Sequence, residues 1–214
     1  MKKPRMSTRK LTVIALLAAI STLLMYLEVP LPLLPPFLKL DISAVPVMMG
    51  SFMFGPVAGI TMAGLKSVIH LLSTQTGGVG ELADFLITGS FALTAGLVYR
   101  YNKSKAGARL AAICSIFVIT VVGAVANWFI LIPFYKNVMP LDAIIAACNT
   151  VNPAVTNAAG YIWFGVVPFN LIKGTIVCIF TFILYKRLST VIHRYTENTV
   201  PSQPSKGVDK TAEM

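Results

Sequence analysis

The chain has 214 residues, 56% of them hydrophobic and only 12% charged, where a soluble domain carries about a quarter charged residues. Its 18 Lys and Arg against 8 Asp and Glu give a net charge of +10, and most of the basic residues fall into three clusters separated by long apolar stretches. That segregation excludes a soluble globular domain, and it assigns the positive charge to cytoplasmic loops beside anionic lipid rather than to nucleic acid.

Lys2, Lys3, Arg5, Arg9 and Lys10 open the chain and lead into a first apolar helix, predicted over 9–29. The run LTVIALLAAISTLLMYLEV is longer than a signal-peptide core. Cleavage at the small residues near Ala18 is the competing reading, but the helix is expected to stay. Ala15, Ala18 and Ala19 include an A-xxx-A pair, the spacing at which a second helix comes close in lipid. Next comes a loop over 30–42, stiffened by Pro30, Pro32, Pro35 and Pro36 and ending in FLKLDIS.

Hydropathy alone would merge residues 44–72 into one kinked helix. FGPVAG breaks it, because Gly55 permits unusual dihedrals and Pro56 suits a first helical position. The prediction is a short helix over 43–54 and another over 56–72, the second carrying Lys66 and His70 on one face. STQTGGVGE (73–81) leads into a fourth helix over 81–101, where Glu81 and Asp84 suit the positive end of the helix dipole. The second basic cluster, Arg100, Lys103, Lys105 and Arg109, precedes a fifth helix over 107–134 that bears Asn127 near its end. A short amphipathic helix is expected over 140–148, and the last helix over 162–193 carries Asn170 and Lys173 three residues apart. Lys186, Arg187, His193 and Arg194 form the third cluster, and 195–214 reads as a disordered cytoplasmic tail. Cys114, Cys148 and Cys178 stand alone among apolar neighbours and read as packing residues.

With all three basic clusters inside, each intervening stretch holds an even number of crossings. The expectation is an all-α polytopic bundle of six transmembrane helices with both termini cytoplasmic, residues 1–194 forming one domain. The rival count is five, with residues 44–72 unbroken. In the six-helix topology the loop at 30–42, the glycine-rich turn, Asn127, Asn170 and Lys173 all lie toward the outer face. A lysine in the membrane needs a partner. Lys173 either pairs structurally with Asp41 or another carboxylate, stitching loop to bundle, or helps line a polar pocket under FLKLDIS. Phe37, Trp128, Tyr161, Trp163 and Phe169 are the aromatic supply for a flat ligand, the competing reading of each being a place in the aromatic belt at the membrane interface. No metal set is found, and there is no Walker A sequence, so a transporter of this kind built on this chain would have to borrow its power stroke.

PFLKLDISAVPVMMGSFMFGPVAG, GGVGELADFL and PFNLIKG, in that order, resemble the substrate-binding S components of energy-coupling factor (ECF) vitamin transporters, most nearly the riboflavin-specific branch, over residues 8–194. The resemblance implies riboflavin held near the outer surface. Asn127, Asn170 and Lys173 would hydrogen-bond it, Leu38, Leu40 and Asp41 would belong to the covering loop, and Glu81 would join the site. It further implies docking through Ala15, Ala18 and Ala19 on the transmembrane coupling subunit EcfT, driven by two ATPase subunits in a prokaryotic plasma membrane. The chain itself would have no catalytic residues and no cofactor. Competing readings are another vitamin (thiamine, folate or biotin), a stand-alone facilitator, and an intramembrane enzyme using His70, Glu81 and Asp84.

Overall fold

The computed structural model describes residues 8–30, 38–74, 76–138 and 140–197, with side chains throughout except at 138 and 185–197. The disordered tail expected over 195–214 lies outside these residues beyond 197, and 195–197 are helical. The described residues form two units, those up to Thr181 and those from Phe182 onward. The first holds the bundle and its cavity, and the second is helical over its described residues.

The described residues are almost entirely helical. α1 spans Thr8–Met25, α2 Ala44–Phe54, α3 Pro56–His70, α4 Val79–Tyr101 and α5 Lys105–Ala126. α5 runs through a wide π turn, Asn127–Leu131, into α6, Ile132–Val138. α7 (Leu141–Val151) and the short α8 (Ala158–Tyr161) come next, and a second π turn, Ile162–Val166, leads into α9, Val167–Glu197. The expected proline-stiffened loop is entered and left through a two-stranded antiparallel ribbon, β1 (Val29–Pro30) and β2 (Lys39–Leu40). α1 ends four residues earlier than expected, because the chain turns at Tyr26 and Leu27 and enters this ribbon at Val29.

The break at FGPVAG is real. Gly55 has φ 94°, a left-handed value that a side chain would strain, and it ends α2 while Pro56 starts α3. An unbroken helix over 44–72 is therefore ruled out. α2, at 11 residues, rises only about 17 Å and cannot span a bilayer unaided. Its residues from Ala44 to Phe52 are all buried, so protein rather than lipid surrounds it.

Close packing of α2 to α4 rests on small side chains. A Cβ at Gly96 would sit 2.4 Å from Ser51 Oγ and 2.8 Å from the Pro56 backbone, so no larger residue fits between α4 and the α2–α3 junction. One apolar core joins Ile14, Leu17 and Ala18 of α1 to Val47, Met62, Ala63 and Ala92. A second joins Leu38 to Ile132, Cys148, Val155, Tyr161, Val166 and Phe169. Outside them the helices bare large apolar side chains: Val57 is 75% exposed, Phe117 70% and Leu23 68%. A soluble protein does not leave such surfaces to water. With five helical stretches among the described residues long and apolar enough to cross (Thr8–Met25, Pro56–Ser73, Val79–Tyr101, Lys105–Asn137 and Ala158–Leu184), this is a membrane protein.

Candidate functional site

One end of α1, α3, α4, α5 and α9 meets the β ribbon around a cavity of about 600 Å³. Chain direction explains the convergence. α1 and α3 end there (Tyr26, His70), α4 begins there (Glu81, Asp84), and α5 reaches it at Asn127. α9 brings Phe169, Asn170 and Lys173 from its first turns. From Glu81 to Arg100 α4 rises about 29 Å, so the second basic cluster lies one bilayer core away from the cavity.

Of the seven residues expected at a ligand site, Leu38, Asp41, Glu81, Asn127, Asn170 and Lys173 line this cavity. Leu40 does not: it is half-buried in β2, paired with Val29. The aromatic expectation divides. Phe169 lines the cavity and Tyr161 stands behind it, while Trp128 and Trp163 are 45% and 68% exposed and are not among its walls. Phe37 lies outside the described residues. Tyr26 and Tyr135, which the sequence did not single out, supply aromatic wall instead.

Lys173 Nζ donates to Asp41 Oδ2 at 2.6 Å, with both side chains nearly buried. The other oxygen, Asp41 Oδ1, accepts from the Ser43 amide at 2.8 Å and from the Ser43 hydroxyl. Burial pushes the Asp41 carboxyl up, but the charges of Lys173 and Lys66 and these hydrogen bonds outweigh it and hold the group well below the usual carboxylate range. Asp41 is thus an anion at neutral pH, and Lys173 lies against it at the cavity wall.

The two asparagines are oriented alike. Asn127 Nδ2 donates to Gly123 O at 2.8 Å and Asn170 Nδ2 to Val166 O at 2.9 Å, each one helical turn back. Asn127 Oδ1 accepts from the Tyr161 hydroxyl at 2.9 Å. Asn170 Oδ1 has no partner among the described residues, and Asn170 is part of the cavity wall. A π turn begins at Asn127, and another ends at Val166, the carbonyl that Asn170 engages. Such turns insert a residue into the helix and redirect the side chains beyond it, and they carry no local sequence signal.

α3 and α4 pair their polar residues in antiparallel register. His70 Nδ1 lies 2.9 Å from Glu81 Oε1, and Lys66 Nζ lies 2.7 Å from Asp84 Oδ2. Glu81 also accepts from the Thr74 hydroxyl at 2.8 Å and the Thr76 hydroxyl at 3.2 Å, so it is embedded in the turn before α4 rather than merely facing a helix dipole. Lys39 pairs with Glu28 across the ribbon. The wall therefore alternates committed charges with amide and hydroxyl groups and two tyrosines, a lining suited to a polar, uncharged, partly aromatic solute.

On α1, Ala15 and Ala19 are exposed, whereas Ala18 is 3% exposed and packs into the core with Ile14 and Leu17. The three alanines do not share one outward face, and only the A-xxx-A pair is open to another helix.

Residues 9–185 match the family described as ECF transporter, substrate-specific component. The riboflavin transporter RibU of Staphylococcus aureus (strain TCH60) is 36% identical over 186 residues, which cover 87% of this chain and 93% of that one. The riboflavin transporter FmnP of Bacillus subtilis (strain 168) is 27% identical over 192 residues, 88% of this chain and 96% of its own. A solved structure, reported as that of the S component of a bacterial ECF transporter, superposes with a TM-score of 0.69 at 33% identity. It covers 86% of this chain and 97% of its own. With its apolar helices, its cavity at one end of the bundle and a match from residue 9 to residue 185, the chain belongs to the substrate-specific components of ECF transporters.

Proposed function

We propose that this chain captures riboflavin from outside the cell and, as the S component of an ATP-driven ECF transporter, delivers it inward by reorienting in the membrane with a coupling subunit. The observation that carries the reading is the convergence of Asp41, Asn127, Asn170 and Lys173, from separate segments, on one cavity of about 600 Å³. That volume lies within the roughly 300–1,000 Å³ of small-molecule sites. Relatives that match across most of their own length are riboflavin transporters.

The chemistry suits the vitamin. The isoalloxazine has an apolar edge for Leu38 and Phe169, and a pyrimidine-like edge of carbonyls and an N–H. Asn170 Oδ1 is an acceptor for that N–H, and the Lys173 ammonium, a donor only, suits carbonyl or ribityl oxygens. In this proposal α2, shielded by protein, counts as the sixth crossing, and both termini are cytoplasmic in a prokaryotic plasma membrane. EcfT is the coupling subunit, and two ATPase subunits supply the power.

The test is the absorbance spectrum and fluorescence titration of the detergent-purified chain. Bound riboflavin is yellow, and its fluorescence falls when it stacks in the cavity. A colourless protein that ignores added riboflavin but binds thiamine, folate or biotin would overturn the choice of vitamin. Uptake that persists without the ATPase partners would overturn the coupled mechanism.

A further inference from the structure

Lys66 is the largest fully buried side chain of the bundle, at 0% exposure, and it is not part of the cavity wall. A membrane lysine normally extends its stem until the ammonium reaches water. This one stays inside and spends its three protons on protein: Asp84 Oδ2 at 2.7 Å, Ser43 Oγ at 2.9 Å and Thr88 Oγ1 at 3.5 Å. Asp84 alone neutralises the charge. The contact with Ser43 is therefore not needed for charge balance, and it ties Lys66 to a residue that itself holds Asp41 of the cavity wall.

Ser43 is held from three sides. Its hydroxyl accepts from Lys66 and donates to Asp41 Oδ1, its amide donates to the same oxygen at 2.8 Å, and its carbonyl accepts from the Ser21 hydroxyl of α1 at 2.5 Å. With Oδ1 occupied in this way, Asp41 presents Oδ2 to Lys173. The chain of contacts runs from α4 through α3 and the entry to α2 to α9: Asp84, Lys66, Ser43, Asp41, Lys173. Both ends line the cavity, while Lys66 and Ser43 do not.

We propose that Lys66 is a positioning residue for the ligand cavity: through the Ser43 hydroxyl it fixes the orientation of the Asp41 carboxylate, and Asp41 in turn aims the Lys173 ammonium at the ligand. The proposal rests on the reading of this cavity as the riboflavin site. It accounts for keeping a fully buried Lys66–Asp84 pair at all, since a buried ion pair by itself is often replaceable as a whole by apolar side chains without loss of stability.

The experiment is a riboflavin fluorescence titration of the full chain in detergent. The paired variant Lys66→Met/Asp84→Asn removes both buried charges together, so no unpaired charge remains to unfold the bundle. Its affinity is expected to fall at least tenfold. In an Asp41→Asn background the same pair of changes is expected to alter affinity less than twofold, because the group that Lys66 acts through has gone. A loss that persists undiminished in that background would overturn the proposal, assigning the effect to Asp84 at the cavity wall or to general loosening. Unchanged affinity in the paired variant would overturn it as well. Should the paired variant not fold, Ser43→Ala removes only the bridging hydroxyl. It is expected to lose affinity with the same dependence on Asp41, and wild-type affinity there would sink the relay. Wild-type protein that ignores riboflavin overturns the ligand reading and this proposal with it, whereas wild-type that binds beside unimpaired variants overturns the relay alone.

Discussion

Lys173 and Asp41 are 132 residues apart in the chain and 2.6 Å apart in the fold. Their contact closes the bundle around the cavity: Asp41 precedes α2 at the end of the ribbon, and Lys173 stands on the last helix. Because both are nearly buried, each depends on the other for compensation.

Removing one partner is therefore more harmful than removing both. Lys173→Met leaves the Asp41 charge facing Lys66 alone, and should lower thermal stability as well as weaken riboflavin binding by about 1–3 kcal/mol. Lys173→Met/Asp41→Asn should recover most of the stability but not the affinity, since the donor to the ligand is still missing. Melting curves and fluorescence titrations of the three proteins check this. Affinity restored in the double variant would remove Lys173 from the ligand's partners.

The pH dependence is set by Asp41, whose carboxyl is held below its ordinary 3.8. A depressed folded-state value contributes stability that is fully present above the unfolded value and is lost only as pH falls through the folded one. The difference in melting temperature between wild type and Asp41→Asn should accordingly be the same at pH 8 and pH 5. A difference that closes by pH 5 would mean that the carboxyl titrates at or above its ordinary value.

Much of the arrangement is written in the sequence. The segregated charges, the Gly55–Pro56 break and the pairing of Lys173 with Asp41 all arise from desolvation cost and backbone sterics, which act wherever the residues stand. What escapes is rotational phase. A π turn shifts every later side chain around its helix, and nothing in NWFIL or IWFGV announces one, so Trp128 and Trp163 turn outward while Tyr135 turns in. Ala18 escapes for a related reason, since its neighbours do not say which of three close alanines faces α2 and α3. Lys66 shows as an apolar helix's lone lysine, but its partners on α4 and before α2 are known only once the helices are packed.

The alanines of α1 separate two effects. Ala15→Leu and Ala19→Leu change exposed positions, so they should leave riboflavin affinity of the isolated chain intact while reducing co-purification with the coupling subunit and uptake by the assembled transporter. Ala18→Leu inserts three carbons into a packed core and should cost about 1–3 kcal/mol of stability in a melting experiment. Normal assembly in the first two variants would mean that α1 is not the docking face.

Gly123 offers a test of the asparagine geometry without touching an asparagine. A Cβ at this position would lie 2.6 Å from Asn170 Nδ2 and 2.9 Å from its Oδ1, closer than atoms approach. The colliding group is the end of a side chain rather than backbone, so the helices can stay in place while the Asn170 amide swings aside. Alanine also favours the helical interior over glycine by about 0.8–1.0 kcal/mol, which offsets part of the collision. Gly123→Ala should therefore melt near the wild-type temperature yet bind riboflavin about tenfold more weakly, the cost of losing one well-aimed hydrogen bond in a buried site. Unchanged affinity in a well-folded Gly123→Ala protein would show that the Asn170 amide does not touch the ligand.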